Sequence, residues 1–149
     1  MIAKPWSQLT TDELYAVLKL RTDVFFLEQR IEEEELDHRD REPATMHYWI
    51  ADDTGVSAYL RVLRDAEPEH IDAHLIVGRV VVRADRRGEG LAQQLVERAI
   101  EDFGGQAMLL HSQQYIAPLY AKCGFEPFGD VFMEAGIAHI SMYRPGVTS

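Results

Sequence analysis

Apolar residues along this chain recur in two rhythms, and the rhythm switches where the elements change. Leu14, Val17, Leu18, Val24 and Phe25 fall at helical intervals, and Thr10 with Glu13 has the spacing of a capping box. They predict a helix from about residue 11 to about residue 28. His47-Tyr48-Trp49-Ile50-Ala51 and the run 56–63 flank Asp53-Thr54-Gly55, the pattern of a β-hairpin. Residues 75–82 read as a central strand covered on both faces, interrupted by Gly78, which marks a bulge or a close approach by a ligand. From Gly90 to about residue 103, Leu91, Leu95, Val96, Ala99 and Ile100 make a second amphipathic helix. Met108-Leu109-Leu110 is a short buried strand, and Pro118 and Gly124 bracket a short helix holding Tyr120. Residues 131–133 and 139–143 close as an antiparallel pair. The charged stretch 32–42 is a loop or a second short helix, and 66–72, with Pro68, is a loop. This order of elements implies a mixed α/β sheet with helices on both faces.

Composition narrows the function classes. The 149 residues are 46% hydrophobic, enough for one domain spanning 1–149 with its own core. No apolar run is long enough to cross a membrane and no leader-like segment is visible, so a cytoplasmic protein with no membrane partner is expected. The single Cys123 excludes an internal disulfide. Acidic residues outnumber Lys and Arg 25 to 15, giving a formal charge of −10, which argues against a nucleic-acid partner and suits a cationic substrate. The run Glu32-Glu33-Glu34-Glu35 with Asp37 reads as a solvated loop or as a cation-attracting rim.

The candidate chemistry begins at Arg87-Gly88-Glu89-Gly90-Leu91-Ala92, directly after Val80-Val81-Val82. A strand running through a glycine-rich turn into a helix leaves backbone N–H groups unpaired at the positive end of the helix dipole, an arrangement that binds phosphate. There is no Gly-Lys-Ser/Thr for a Walker A loop, and Gln93 stands where a dinucleotide fingerprint needs its third glycine. The pattern Arg87-x-x-Gly90-x-Ala92 resembles the pyrophosphate loop of the GNAT acyl-CoA N-acyltransferases. Tyr120-x-x-x-Gly124-Phe125, about thirty residues on, resembles the C-terminal hallmark of the same superfamily. Arg21-x-x-Val24-Phe25-x-x-Glu28-Gln29, Arg61-Val62-Leu63, Gly78-Arg79-Val80, Gln113 and Glu134-x-Gly136-Ile137-x-His139-Ile140-x-Met142 are together similar to the ElaA-like family of that superfamily. The resemblance runs from about residue 9 to residue 142.

By that resemblance the sheet is mostly antiparallel and splayed open at its middle, with acetyl-CoA in the gap. The main chain of Val80, Val81 and Val82 would bind the pantetheine arm, and Arg87, Gly88, Glu89, Gly90, Leu91 and Ala92 the pyrophosphate. At Pro118 many relatives carry an Asn that contacts the cofactor arm, a contact proline cannot make. The implied reaction is acetyl transfer to a primary amine of a small molecule or peptide, by direct attack in a ternary complex. It needs a base for the ammonium, a donor for the developing oxyanion and an acid for the thiolate. Main-chain N–H near Val80–Val82 is the oxyanion donor and Tyr120 the acid, with a core tyrosine as the alternative reading. Glu28, His47, Glu134 and His139 form the shortlist for the base, and histidine is the residue type that ordinarily titrates near neutrality. Glu28, Gln29, His47 and Gln113 are also placed to bind the acceptor.

Arg79, a charge inside an apolar strand, calls for an acidic partner at the cleft. His70-x-x-x-His74 lies in a loop-like stretch with no helical face to aim both rings, so no metal site is expected. Cys123 packs in the core. Exposed edge strands near the C-terminus leave room for a homodimer. The rival readings are a non-catalytic acyl-CoA-binding module, which Pro118 favours, and a different phosphate ligand in the same loop.

Overall fold

The computed structural model describes residues 1–147. Its elements are β1 (Ile2–Pro5), α1 (Thr11–Arg21), β2 (Met46–Asp52), β3 (Gly55–Arg64), β4 (Leu75–Val82), α2 (Leu91–Asp102), β5 (Met108–Gln113), α3 (Ala117–Ala121), β6 (Glu126–Glu134) and β7 (Ile137–Arg144). The strands form one sheet in the order β1-β2-β3-β4-β5-β7-β6. Every pairing is antiparallel except β4 with β5.

The first helix starts as the capping box requires: Thr10 Oγ1 accepts from the Glu13 N–H at 3.1 Å and Glu13 Oε1 accepts from the Thr10 N–H at 2.9 Å. The helical stretch does run to Glu28, but α1 ends at Arg21 and residues Thr22–Glu28 continue as a π-helical turn. The wider turn shows in the Gln29 N–H bond to the Val24 carbonyl at 2.8 Å. Strand β1 has no counterpart in the hydrophobic pattern; it is four half-buried residues held by β2 and by a Lys4–Glu13 ion pair of 2.9 Å.

Both faces of the sheet are covered. Leu91, Leu95, Val96 and Ala99 of α2 pack with Tyr48, Leu60, Val62 and Val77 on one face. Val17, Leu20 and Val24 pack with Trp49, Tyr59 and Val81 on the other. That is why β3 is buried at residues 56–63 without alternation.

The seam between β4 and β5 is short. Only Leu75, Ile76 and Val77 pair with Met108, Leu109 and Leu110. Beyond them β4 turns away, because two residues, Arg79 and Val80, stand opposite the single Leu60. The bulge forms as expected, but its left-handed backbone falls on Arg79 (φ 51°), one residue past Gly78. A left-handed conformation costs a non-glycine residue about 1–2 kcal/mol. Arg79 is held there by Glu35, whose carboxylate accepts from Nε at 2.6 Å and whose carbonyl accepts from Nη2 at 3.1 Å.

The 32–42 stretch is a loop ending in one 3-10 turn, Arg39–Arg41, and its acidic residues do not all face water. Asp37 accepts two hydrogen bonds from Arg61 at 2.9 and 2.6 Å, and Asp40 accepts from both Arg21 (2.8 Å) and Arg61 (3.0 Å). Arg21, Asp40, His47 and Arg61 are all buried. Burial opposes ionisation of Asp37 and Asp40, but hydrogen bonds and charge contact, with Arg61 for Asp37 and with Arg21 and Arg61 for Asp40, override it and hold both carboxyls below their ordinary range. Burial pushes His47 down instead.

These shifts have the same sign for stability. Below about pH 6.5 the unfolded chain protonates His47 while the folded chain resists, and below about pH 4 the same holds for Asp37 and Asp40. Melting temperature is therefore expected to drop on acidification from about pH 7 to about pH 5, and more steeply below about pH 4. Thermal melts across that range check it; a flat response would contradict the buried network.

Candidate active site

Beyond Val77 the two strands diverge around a cleft of about 970 Å³. On one wall, Arg83 donates its N–H to the Ser57 carbonyl at 2.8 Å, so the alternation of an antiparallel strand turns the polar groups of Val82 toward the opening. The Val82 carbonyl there accepts from Arg87 Nε at 3.2 Å. Val80 and Val81 line the same wall.

The glycine-rich turn sits at the end of this wall. Gly88 (φ 85°) and Gly90 (φ 77°) both have left-handed backbone, and a Cβ on either would enter open space. Gly90 is the N-cap of α2 and supplies no side chain, so the first N–H groups of the helix, from Leu91, Ala92 and Gln93, are uncapped. Arg87, Gly88, Gly90, Leu91 and Ala92 all line the cleft. The Glu89 side chain does not; it pairs with Arg86 at 2.7 Å, which leaves only its main chain for an anion. An uncapped helix N-terminus beside two unobstructed glycines and an arginine fits a diphosphate.

Tyr120 lies on α3. It is 3% exposed and borders the cleft, and its hydroxyl makes no hydrogen bond to the described residues. Its ring packs edge-to-face on Phe125, with centroids 6.2 Å apart, while Gly124 (φ 92°) turns the chain after α3. The two ends of the Tyr-to-Gly-Phe motif thus fix one ring. Burial raises the phenol well above its ordinary value, so it holds its proton. Pro118 also lines the cleft and sits in the first turn of α3, where its missing N–H costs nothing.

His139 and Glu134 meet at the β6–β7 end. His139 Nδ1 lies 2.7 Å from the Ile137 carbonyl, which can only accept, so Nδ1 carries the hydrogen. Nε2 is then the basic nitrogen, and Glu134 Oε2 stands 3.6 Å from it, within reach of the charged ring. Gln113 donates to Gln29 at 3.0 Å, joining the end of β5 to the residue after the π-helical turn. Glu28, Gln29, Gln113, Glu134 and His139 all border the cleft.

His47 is a correction. It is 2% exposed and absent from the cleft, with Nδ1 at 2.7 Å from the Tyr59 hydroxyl and Nε2 at 2.9 Å from the Asp40 carbonyl. Both ring nitrogens are engaged in the buried network, so it is available neither as a base nor to an acceptor. Arg79 finds its acidic partner in Glu35, which lines the cleft. His111, Ser112 and Tyr115 also border the cleft without having been singled out. His111 stands just after the apolar run that marks β5, and contacts Ser141 and Glu69, both at 2.9 Å. The described residues include no cluster of metal-ligating side chains, and no described helix is long and apolar enough to cross a membrane.

Comparison with known proteins finds relatives along nearly the whole chain. The acetyltransferase (GNAT) domain family matches residues 12–144. The chain is 33% identical over 147 residues to protein ElaA of Escherichia coli, covering 93% of this chain and 91% of that protein. It is 34% identical over 149 residues to the UPF0039 protein Rv2851c of Mycobacterium tuberculosis, covering 97% and 93%. Among solved structures, an acyl-CoA N-acyltransferase from Pseudomonas aeruginosa superposes with a TM-score of 0.86 at 35% identity, covering 96% of this chain and 97% of that one. The Escherichia coli ElaA crystal structure gives the same TM-score and coverage at 31% identity. The chain belongs to the GNAT acetyltransferase family, in its ElaA-like group, and has the fold that supports acyl transfer from acyl-CoA.

Proposed function

We propose that this chain, as a single domain, is an N-acetyltransferase that moves an acetyl group from acetyl-CoA to a primary amine of a small molecule or peptide. The observation that carries the reading is the uncapped start of α2, with Gly88 and Gly90, opening onto the same cleft as the unpartnered Tyr120 hydroxyl. Bound acetyl-CoA would supply an activated acyl thioester. Arg87 and the N–H groups at the start of α2 hold the diphosphate, and the main chain of β4 lies alongside the pantetheine arm. A main-chain N–H in the Val80–Val82 stretch donates to the carbonyl oxygen as negative charge builds on it. His139 Nε2 takes the proton from the acceptor ammonium, and Glu134 stabilises the charged ring. The amine attacks directly, the new C–N bond replaces the C–S bond, Tyr120 donates its proton to the departing sulfur, and the second proton shed by the attacking nitrogen restores the phenol through solvent. Gln29 and Gln113 line the acceptor side.

Thiol release from acetyl-CoA, followed against polyamines, amino acids and lysine peptides, tests the reading. Acceptor-dependent release is expected, and His139→Gln is expected to lower it about 100-fold, within the range for a general base. Tight CoA binding with no acceptor-dependent release would instead support a non-catalytic acyl-CoA-binding module.

A further inference from the structure

Arg87 is already gripping an anion. Its Nη1 and Nη2 donate to the two carboxylate oxygens of Glu28 at 2.7 and 2.9 Å, while Nε donates to the Val82 carbonyl. The planar fork is therefore filled, and its partner is 59 positions distant in the sequence. Glu28 ends the π-helical turn and Arg87 precedes Gly88, so the pair ties two cleft-lining segments together. The hydrogen bonds from Arg87 also hold the Glu28 carboxyl below its ordinary range, keeping it charged. Arg86, next in sequence, is occupied differently, by Glu89 and Asp52 at 2.7 Å each. A carboxylate and a phosphate present the same pair of oxygens to a guanidinium, so the two compete for one geometry.

We propose that Glu28 is an internal competitor for Arg87, displaced when a diphosphate binds the glycine turn and then free to act as counter-ion for the acceptor's ammonium. The inference rests on the acyl-CoA reading above. A half-exposed ion pair contributes little net stability, so exchanging it for the more highly charged diphosphate is favourable. Once displaced, Glu28 is repelled by the anion that replaced it. That repulsion drives it away from the turn, toward the side of the cleft where Gln29 meets Gln113. The order of binding follows. The donor site fills first, and the acceptor gains a negative partner only afterwards, so each substrate favours the other.

Calorimetric titration with CoA, and with inorganic pyrophosphate as the smallest probe, tests this on the wild-type chain, Glu28→Gln, Arg87→Ala and the double variant. Glu28→Gln is expected to bind both probes about two- to fivefold tighter than wild type, the worth of an exposed ion pair. Arg87→Ala is expected to bind more weakly, and adding Glu28→Gln to it to tighten binding by less than it does in the wild-type chain, since no competition for Arg87 remains to be relieved. A role for Glu28 as a structural strut predicts the opposite sign, since losing a strut does not tighten binding. Equal or weaker CoA binding by Glu28→Gln, with wild type binding normally, overturns the proposal while leaving the acyl-CoA reading intact. Failure of the wild-type chain to bind CoA overturns both.

Discussion

Tyr120→Phe is expected to lower kcat about 100- to 1,000-fold while leaving CoA affinity and melting temperature essentially unchanged. The combination is diagnostic because the two roles open to this tyrosine predict different results. A tyrosine that anchors the fold through its hydroxyl would lose about 1 kcal/mol on becoming phenylalanine. Here the hydroxyl has no protein partner among the described residues, and the ring, which does the packing against Phe125, is retained. The proton is what the substitution removes. Because burial keeps the phenol protonated above its ordinary range, the wild-type rate is expected to show no tyrosine-type alkaline decline below about pH 10. Steady-state kinetics with a thermal melt on the same samples decides the matter; full activity in Tyr120→Phe would remove the acid role.

The largest effect on stability is expected from Asp40→Ala, about 3–5 kcal/mol, read as a drop of about 2 M in the urea midpoint. Asp40 Oδ1 accepts from both Arg21 and Arg61, which are 1% and 3% exposed. Deleting it leaves two buried cations sharing what remains of Asp37 and Glu35. The Nε atoms of Arg21 and Arg61 already lack partners, so the network has no spare acceptor to absorb the loss. Removing an exposed carboxylate such as Glu32 is the control and is expected to change stability by less than about 0.5 kcal/mol. A loss below about 1 kcal/mol for Asp40→Ala would mean that the cluster is not what holds the 32–42 loop to the sheet.

What could be read from the amino-acid order was whatever depends on near neighbours. The apolar run of β4, the capping box of α1, the amphipathic α2 and the glycine turn are each set within a few residues, and each appears where its pattern places it. The π-helical turn could not be read, because its composition is that of an ordinary helix and only the cleft it borders distinguishes it. His47 was misjudged for a related reason: a histidine in a strand reveals its alternation but not whether its face meets a cleft or a buried Asp40 carbonyl. The acidic loop divides on the same ground. Glu32, Glu33 and Glu34 are exposed, whereas Glu35, Asp37 and Asp40 turn inward to arginines on α1, β3 and β4. Nothing in a run of like residues says which of them will meet a cation brought from elsewhere in the chain.

The three-pair parallel contact between β4 and β5 has a mechanical consequence. It is the sole hydrogen-bonded ladder joining two half-sheets, β1 to β4 and β5 to β7, among the described residues, and parallel ladders are the weaker kind. The glycine turn leaves from the first half-sheet, and Tyr120, Glu134 and His139 follow β5 in the second. A hinge motion along that line would alter the spacing between the glycine turn and those side chains. A molecule lodged across it would act as a splint, so amide hydrogen exchange at Val77 and Leu109, whose N–H groups lie in that ladder, would report on whether the cleft is filled.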